Sequence, residues 1–117
     1  GLGDVYKRQV AACISWIYKR LEYGNEQFPG FFSLHSLGFM KDEKMDGKKK
    51  MLQTWGHILN GLCDILKNDP KIRPDVFDEQ FTEKQFADIL FSLILVSMVR
   101  QDYNPSSILM LINKTLY

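Results

Sequence analysis

The stretch KQFADILFSLILVSMVRQ, residues 84–101, decides the fold of this chain. From Phe86 to Val99 it is apolar apart from Asp88 and two serines, and neither Gly nor Pro interrupts it. Such a run is too long for an ordinary buried strand and predicts a helix. Because a helix that is apolar on nearly every side is usually buried, we expect an all-α domain built around a central apolar helix at about residues 83–101.

Local signals mark both ends of this helix. Thr82 and Gln85 have the spacing of a capping box, and Phe81 and Phe86 have that of a hydrophobic staple. The polar residues 102–105 are expected to end the helix, and Asn104 to cap the next one. The apolar run falls short of the ~20 residues that span a bilayer, so we expect no membrane span.

Three further helices are predicted from apolar residues that recur at helical spacing. They cover residues 10–23, 48–68 and 105–116, with Gly24 and the Asp69-Pro70 pair as stop signals and a loop at residues 71–80. The chain therefore reads as a compact four-helix bundle-like domain. Its core is expected to contain the following apolar residues of the central helix and its neighbours: Ile89, Leu90, Leu93, Ile94 and Val96, contacted by Leu59, Leu62, Ile108 and Ile112.

The domain boundaries are set by the first residues of the chain. Residues 4–9, DVYKRQ, resemble the conceptual translation of a transposon end sequence that is used to prepare sequencing libraries. We therefore expect residues 1–9 to be a non-native, adaptor-derived tract, and residues 10–117 to form a single domain that could be truncated at either end.

Charge and cysteine content restrict the partners. The formal net charge is +1, which argues against nucleic acid as a partner because such binding depends on basic residues. Cys13 and Cys63 both lie in apolar helical patterns, as expected of reduced thiols in a cytoplasmic protein.

Residues 31–40 carry several aromatic side chains. Two alternatives account for them: a short helical turn that folds over the helices, or an exposed patch for a partner. The charged residues 41–50 are expected to be a solvated linker.

Two predicted helices carry polar stripes that are candidate ligand-binding sites. Spacing by three and four places these residues on one side of each helix: His57, Asn60 and Asp64 on one, Gln85, Asp88 and Ser92 on the other. If the stripes face each other, they form a pocket for a cation or a polar ligand. If they face outward, they are solvated surfaces.

The segment that begins Gln85-Phe-Ala-Asp88-Ile-Leu-Phe-Ser, with Asn113-Lys114 in the last helix, resembles the all-α nucleoside triphosphate pyrophosphohydrolases of the MazG-like family over about residues 83–114. The resemblance implies cleavage of nucleoside triphosphates to monophosphate and pyrophosphate, with magnesium held by a Glu-x-x-Glu pair on one helix and a Glu-x-x-Asp pair on the next. Only Asp88 matches those ligands, since Gln85 replaces a glutamate and residues 57–64 contain no Glu-x-x-Glu. Either one apolar helix resembles another, or the chain is a degenerate member without the activity.

Other enzyme signatures are missing: the chain has no G-x-S-x-G, Gly-rich phosphate loop, C-x-x-C or H-E-x-x-H. We therefore expect a protein-interaction or assembly domain that self-associates or binds a protein partner, with no catalytic residues and no cofactor. The alternative is a degenerate MazG-like nucleotide-binding protein, for which magnesium would be the cofactor.

Overall fold

The computed structural model confirms the all-α class. It describes residues 9–29 and 45–117, with the backbone alone at residues 45–52 and 54. Within these residues the chain forms four helices and no strand: α1 (Val10–Gln27), α2 (Met45–Asn68), α3 (Glu83–Arg100) and α4 (Ser106–Leu116). No helix of this part of the chain is both long and apolar enough to cross a membrane.

Helix α3 begins and ends where the local signals predict. The Gln85 amide donates to Thr82 Oγ1 at 3.2 Å, and the Thr82 amide donates to Gln85 Oε1 at 2.7 Å, which completes the capping box. The rings of the expected staple, Phe81 and Phe86, lie 5.9 Å apart. At the other end Gln101 adopts a left-handed conformation (φ 55°) and its amide donates to the Met98 carbonyl. A second hydrogen bond, from the Asp102 amide to the Ser97 carbonyl, makes this a Schellman motif.

The core lies against one side of α3. Leu90 and Ile94 are buried as predicted, together with Leu62 of α2 and Ile112 of α4. Leu59 and Ile108 are partly buried against the same core. The remaining buried apolar residues come from all four helices: Val10, Cys13, Ile14, Tyr18, Leu66, Phe86, Ala87, Phe91, Met98 and Leu116.

The opposite side of α3 is not buried, and here the sequence-based expectation is wrong. Ile89 is 46% exposed and Val96 is 50% exposed, while Leu93 between them is half-buried. The core residues of α3 occupy one side of the helix, where α2 is its main neighbour. Apolarity on all sides shows what a helix can bury, but the arrangement of the other helices decides which side is covered.

Three helix boundaries also differ from the expectation. Helix α1 continues through Gly24 to Gln27, since one glycine costs a helix only ~1 kcal/mol. Helix α2 begins at Met45, so part of the predicted linker is helical. Helix α4 begins one residue late, but Asn104 Oδ1 accepts a hydrogen bond from the Ser106 amide at 3.0 Å, so the predicted capping contact is present.

A buried carboxylate joins the ends of three helices. Asp69, directly after α2, is only 6% exposed. Its Oδ2 accepts hydrogen bonds from the Val10 amide at the start of α1 (3.0 Å) and from the Tyr117 hydroxyl after α4, and its Oδ1 accepts one from the Lys71 amide (2.9 Å). Burial, together with the hydrogen bond and charge of Asp69, raises the pKa of Tyr117 to about 12. Sequence reasoning treated Asp69 only as part of a stop signal.

A second polar contact joins α1 to α3. The Tyr18 hydroxyl lies 2.6 Å from Ser97 Oγ, and Ser97 Oγ itself donates to the Leu93 carbonyl at 3.0 Å. Because a serine hydroxyl has one proton, Tyr18 is the donor to Ser97. The hydroxyl of a fully buried tyrosine is therefore satisfied, as the interior of a protein requires.

Both cysteines are free thiols. Cys13 is buried, and burial raises the pKa of its thiol to about 11, whereas Cys63 is half-buried. Two expectations from the sequence concern the adaptor-like residues 1–9 and the aromatic residues 31–40. Apart from Gln9, which precedes α1, these residues lie outside the described part of the chain.

Candidate functional site

A groove of about 760 Å³ opens between α2 and α3. The two helices run antiparallel: Trp55 contacts Phe91 (ring centroids 5.8 Å apart) far from the connecting loop, whereas Lys67 and Thr82 line the groove beside that loop. The groove has a mixed polar and apolar lining: Gly56, Leu59, Asn60, Cys63, Asp64, Lys67, Thr82, Lys84, Gln85, Ala87 and Asp88.

Four of the residues proposed from the sequence share this groove. Asn60 and Asp64 line it from α2, and Gln85 and Asp88 line it from α3. The two polar stripes therefore lie on adjoining walls, although all four residues are also exposed to solvent. This arrangement combines the two alternatives weighed from the sequence, a shared pocket and a solvated surface.

The other two stripe residues lie outside the groove lining. His57 is exposed on α2, and Ser92 is exposed on α3. Ser92 Oγ donates to the Asp88 carbonyl at 2.9 Å, which is a hydrogen bond within the helix. The spacing predicted which residues share one side of each helix. It did not predict how each helix is rotated about its axis, which decides the residues that reach the groove.

The charged groups of the groove are ordered along its length. Lys67 and Lys84 lie nearest the connecting loop, and the antiparallel helices place Asp64 and Asp88 about one turn further along. Gln85 has less freedom than the other polar residues, because its Oε1 already accepts the Thr82 amide. The lysine ammonium groups and the aspartate carboxylates of the groove can therefore contact a polar ligand. The apolar part of the lining comes from Leu59, Cys63 and Ala87.

The donors in the groove are few for a metal ion. Among the side chains that the structure describes, those of residues 9–29, 53 and 55–117, there is no group of three or more His, Cys, Asp or Glu that could hold one. Magnesium is often bound by one or two protein carboxylates that act together with substrate phosphates. Asp64 and Asp88 would fit magnesium only in that form, with the phosphate oxygens of a bound ligand completing the coordination.

The second candidate surface is the exposed face of α3, formed by Ile89, Leu93 and Val96. Spacing by four and then three places these side chains in one stripe, and Arg100 continues it for one more turn. Asp88 lies on the neighbouring face, toward the groove. Other exposed apolar residues are distributed over the remaining helices and the end of α1: Trp16, Tyr23, Phe28, Ile58, Met110 and Leu111.

Comparison with known proteins adds nothing to this geometry, because no family model, no curated protein and no solved structure matches the chain.

Proposed function

We propose that this chain is a protein-interaction or assembly domain that associates through the exposed face of α3. The observation that carries the proposal is the exposure of Ile89 (46%) and Val96 (50%) on a helix whose opposite side is core. Complete burial of such a side chain contributes roughly 1.5–3 kcal/mol. Covering the rest of this face would therefore favour association by a few kcal/mol.

Two further properties support association at this face. Helix α3 is capped at both ends and packed on its other side, so its exposed face loses little conformational freedom on binding. The net charge of +1 produces little repulsion between two copies. Self-association is thus the simplest form of the proposed function, and the free thiols of Cys13 and Cys63 favour a cytoplasmic setting.

Sedimentation velocity across a range of micromolar concentrations tests the proposal. We expect the wild type to dimerise and Ile89→Glu to remain monomeric, because a carboxylate would be buried in the contact. Ile58→Glu is the matched control, since Ile58 is 38% exposed but lies on α2. A monomeric wild type, or equal effects of the two substitutions, would contradict the proposal.

The groove supports a second candidate function, a degenerate MazG-like nucleotide-binding protein. Asp64 and Asp88 line the same groove as Lys67 and Lys84, so phosphate and magnesium would both meet groups of opposite charge. A nucleoside triphosphate with magnesium would then stabilise the fold, by ~2.7 kcal/mol at a hundredfold excess over its dissociation constant.

A thermal-shift screen separates the two candidates. Nucleotides are added with and without magnesium to the wild type and to Asp88→Asn. Magnesium-dependent stabilisation that disappears in the variant would favour the nucleotide-binding protein. The assembly domain instead predicts no response to nucleotides and a melting temperature that rises with protein concentration.

A further inference from the structure

We infer that the groove between α2 and α3 binds a small zwitterion, with its anionic group toward the α2–α3 loop and its cationic group about one helical turn away. An ω-amino acid, in which a short aliphatic chain separates an ammonium from a carboxylate, is a ligand of this kind. The inference goes beyond the proposed assembly at the exposed face of α3, because it concerns a different surface and a different ligand.

Each wall of the groove carries one lysine and one aspartate, in the same order along its length. On α2, Lys67 is closer to the loop than Asp64, by ~4.5 Å of helix. On α3, Lys84 is closer to the loop than Asp88, by ~6 Å of helix. Since the two helices are antiparallel, both walls have their positive end toward the loop. This direction holds at any register of the two helices, because it is set within each helix.

The four charged side chains are available to a ligand. Within the described part of the chain, none of them makes a hydrogen bond or an ion pair. The side-chain hydrogen bonds that reach Asp64 and Asp88, from Asn68 and Ser92, end on backbone carbonyls. Opposite charges three or four residues apart on an exposed helix attract each other only weakly, so a ligand loses little by competing with them.

The balance of charge in the groove favours a zwitterion over a simple ion. Two lysines and two aspartates have no net charge, so a ligand of one sign is attracted by one pair and repelled by the other. A zwitterion with its carboxylate near the lysines and its ammonium near the aspartates is attracted by both pairs. A nucleoside triphosphate needs magnesium to offset the aspartates, whereas a zwitterion needs no further component.

The spacing along the walls sets the length of the ligand. In extended γ-aminobutyrate the two charges lie about 5 Å apart, which is between the separations on the two walls. Leu59, Cys63 and Ala87 provide apolar surface for its methylene groups. Glycine, whose charged groups are joined through one carbon, is too short to reach both ends of either wall.

An amide chemical-shift titration of the full chain with γ-aminobutyrate tests the inference. Charge contacts in an open groove are weak, and this measurement detects millimolar binding. We expect the amide shifts to change within residues 59–67 and 82–88, which line the groove. Glycine, butyrate and butylamine, which lack the length or one of the charges, should each bind at least about fivefold more weakly.

Two substitutions test the direction of binding. Lys84→Met should weaken the binding of γ-aminobutyrate about fivefold without weakening that of butylamine, which has no carboxylate. Asp88→Asn should weaken the binding of γ-aminobutyrate by a similar factor without weakening that of butyrate, which has no ammonium. Lys19→Met and Glu22→Gln are the matched controls at exposed positions of α1, and neither should change the binding.

Several outcomes would overturn the inference. One is the absence of shift changes in the groove, and another is equal binding of glycine and γ-aminobutyrate. Equal losses in the groove variants and the control variants would also contradict it. Shift changes with a nucleotide and magnesium, but not with γ-aminobutyrate, would replace it by the second candidate function. Assembly through α3 is measured separately by sedimentation, so its failure and that of the inference are distinguishable.

Discussion

Alanine substitutions at Leu90 and at Ile89 should distinguish the buried side of α3 from its exposed side by the free energy of unfolding that each substitution costs. Leu90 is fully buried, whereas its neighbour Ile89 is 46% exposed. Large-to-small changes at buried leucines cost roughly 2–5 kcal/mol, from lost transfer free energy and the cavity that remains. Leu90→Ala should fall in that range. Ile89→Ala should cost about 1 kcal/mol or less, since part of the side chain is already in water and alanine is the better helix former.

Urea unfolding at low protein concentration measures both changes without a contribution from association. The midpoint should fall much further for Leu90→Ala than for Ile89→Ala, at a similar slope. Leu93→Ala should lie between them, because Leu93 is half-buried. Equal losses for Leu90 and Ile89 would refute the assignment of a core side and an exposed side.

Three other changes test separate parts of the fold. Gln101→Gly should raise the free energy of unfolding by about 1 kcal/mol, because Gln101 has a left-handed backbone (φ 55°) that glycine adopts without strain, and an unchanged urea midpoint would contradict this. Gly61→Ala should raise the free energy of unfolding by up to ~1 kcal/mol, and with it the melting temperature, because alanine is the better helix former and a Cβ at this position meets no atom within 4 Å. A lower melting temperature would mean that the site is more crowded. Tyr117→Phe should change the alkaline pH dependence. Folding raises the Tyr117 pKa from 10 to about 12, so its contribution is complete below pH 10 and is lost as the pH rises through 12. The wild type should therefore lose more stability than Tyr117→Phe over that interval, and parallel pH profiles would disprove the link.

The features that the sequence predicted correctly are local. The capping box of Thr82 and Gln85 and the staple of Phe81 and Phe86 depend on side chains within one turn of each other. Polar spacing likewise predicted which residues of α2 and α3 share a side of their own helix. Four of them line one groove, whereas His57 does not, because the rotation of α2 relative to α3 depends on packing that no single helix encodes.

The features that the sequence did not predict join distant residues. Asp69 binds Val10, which is 59 positions away, and Tyr117, which is 48 positions away. Nothing near Asp69 in the chain distinguishes a buried hydrogen-bonded carboxylate from an ordinary helix stop. The exposure of Ile89 and Val96 was missed for a related reason, since it depends on which side of α3 the neighbouring helices pack against.

The shared carboxylate of Asp69 has a consequence for how the domain opens. The first amide of a helix is normally among the fastest to exchange its hydrogen with solvent, because helix ends fray. Here the amide of Val10 cannot be released without leaving a buried acceptor of Asp69 partly unsatisfied. Arg73 strengthens the coupling, since its backbone amide and its guanidinium hold the Leu116 and Thr115 carbonyls at 2.8 Å. The start of α1 and the end of α4 are therefore expected to open together, in one cooperative unit, and not as two independently fraying ends.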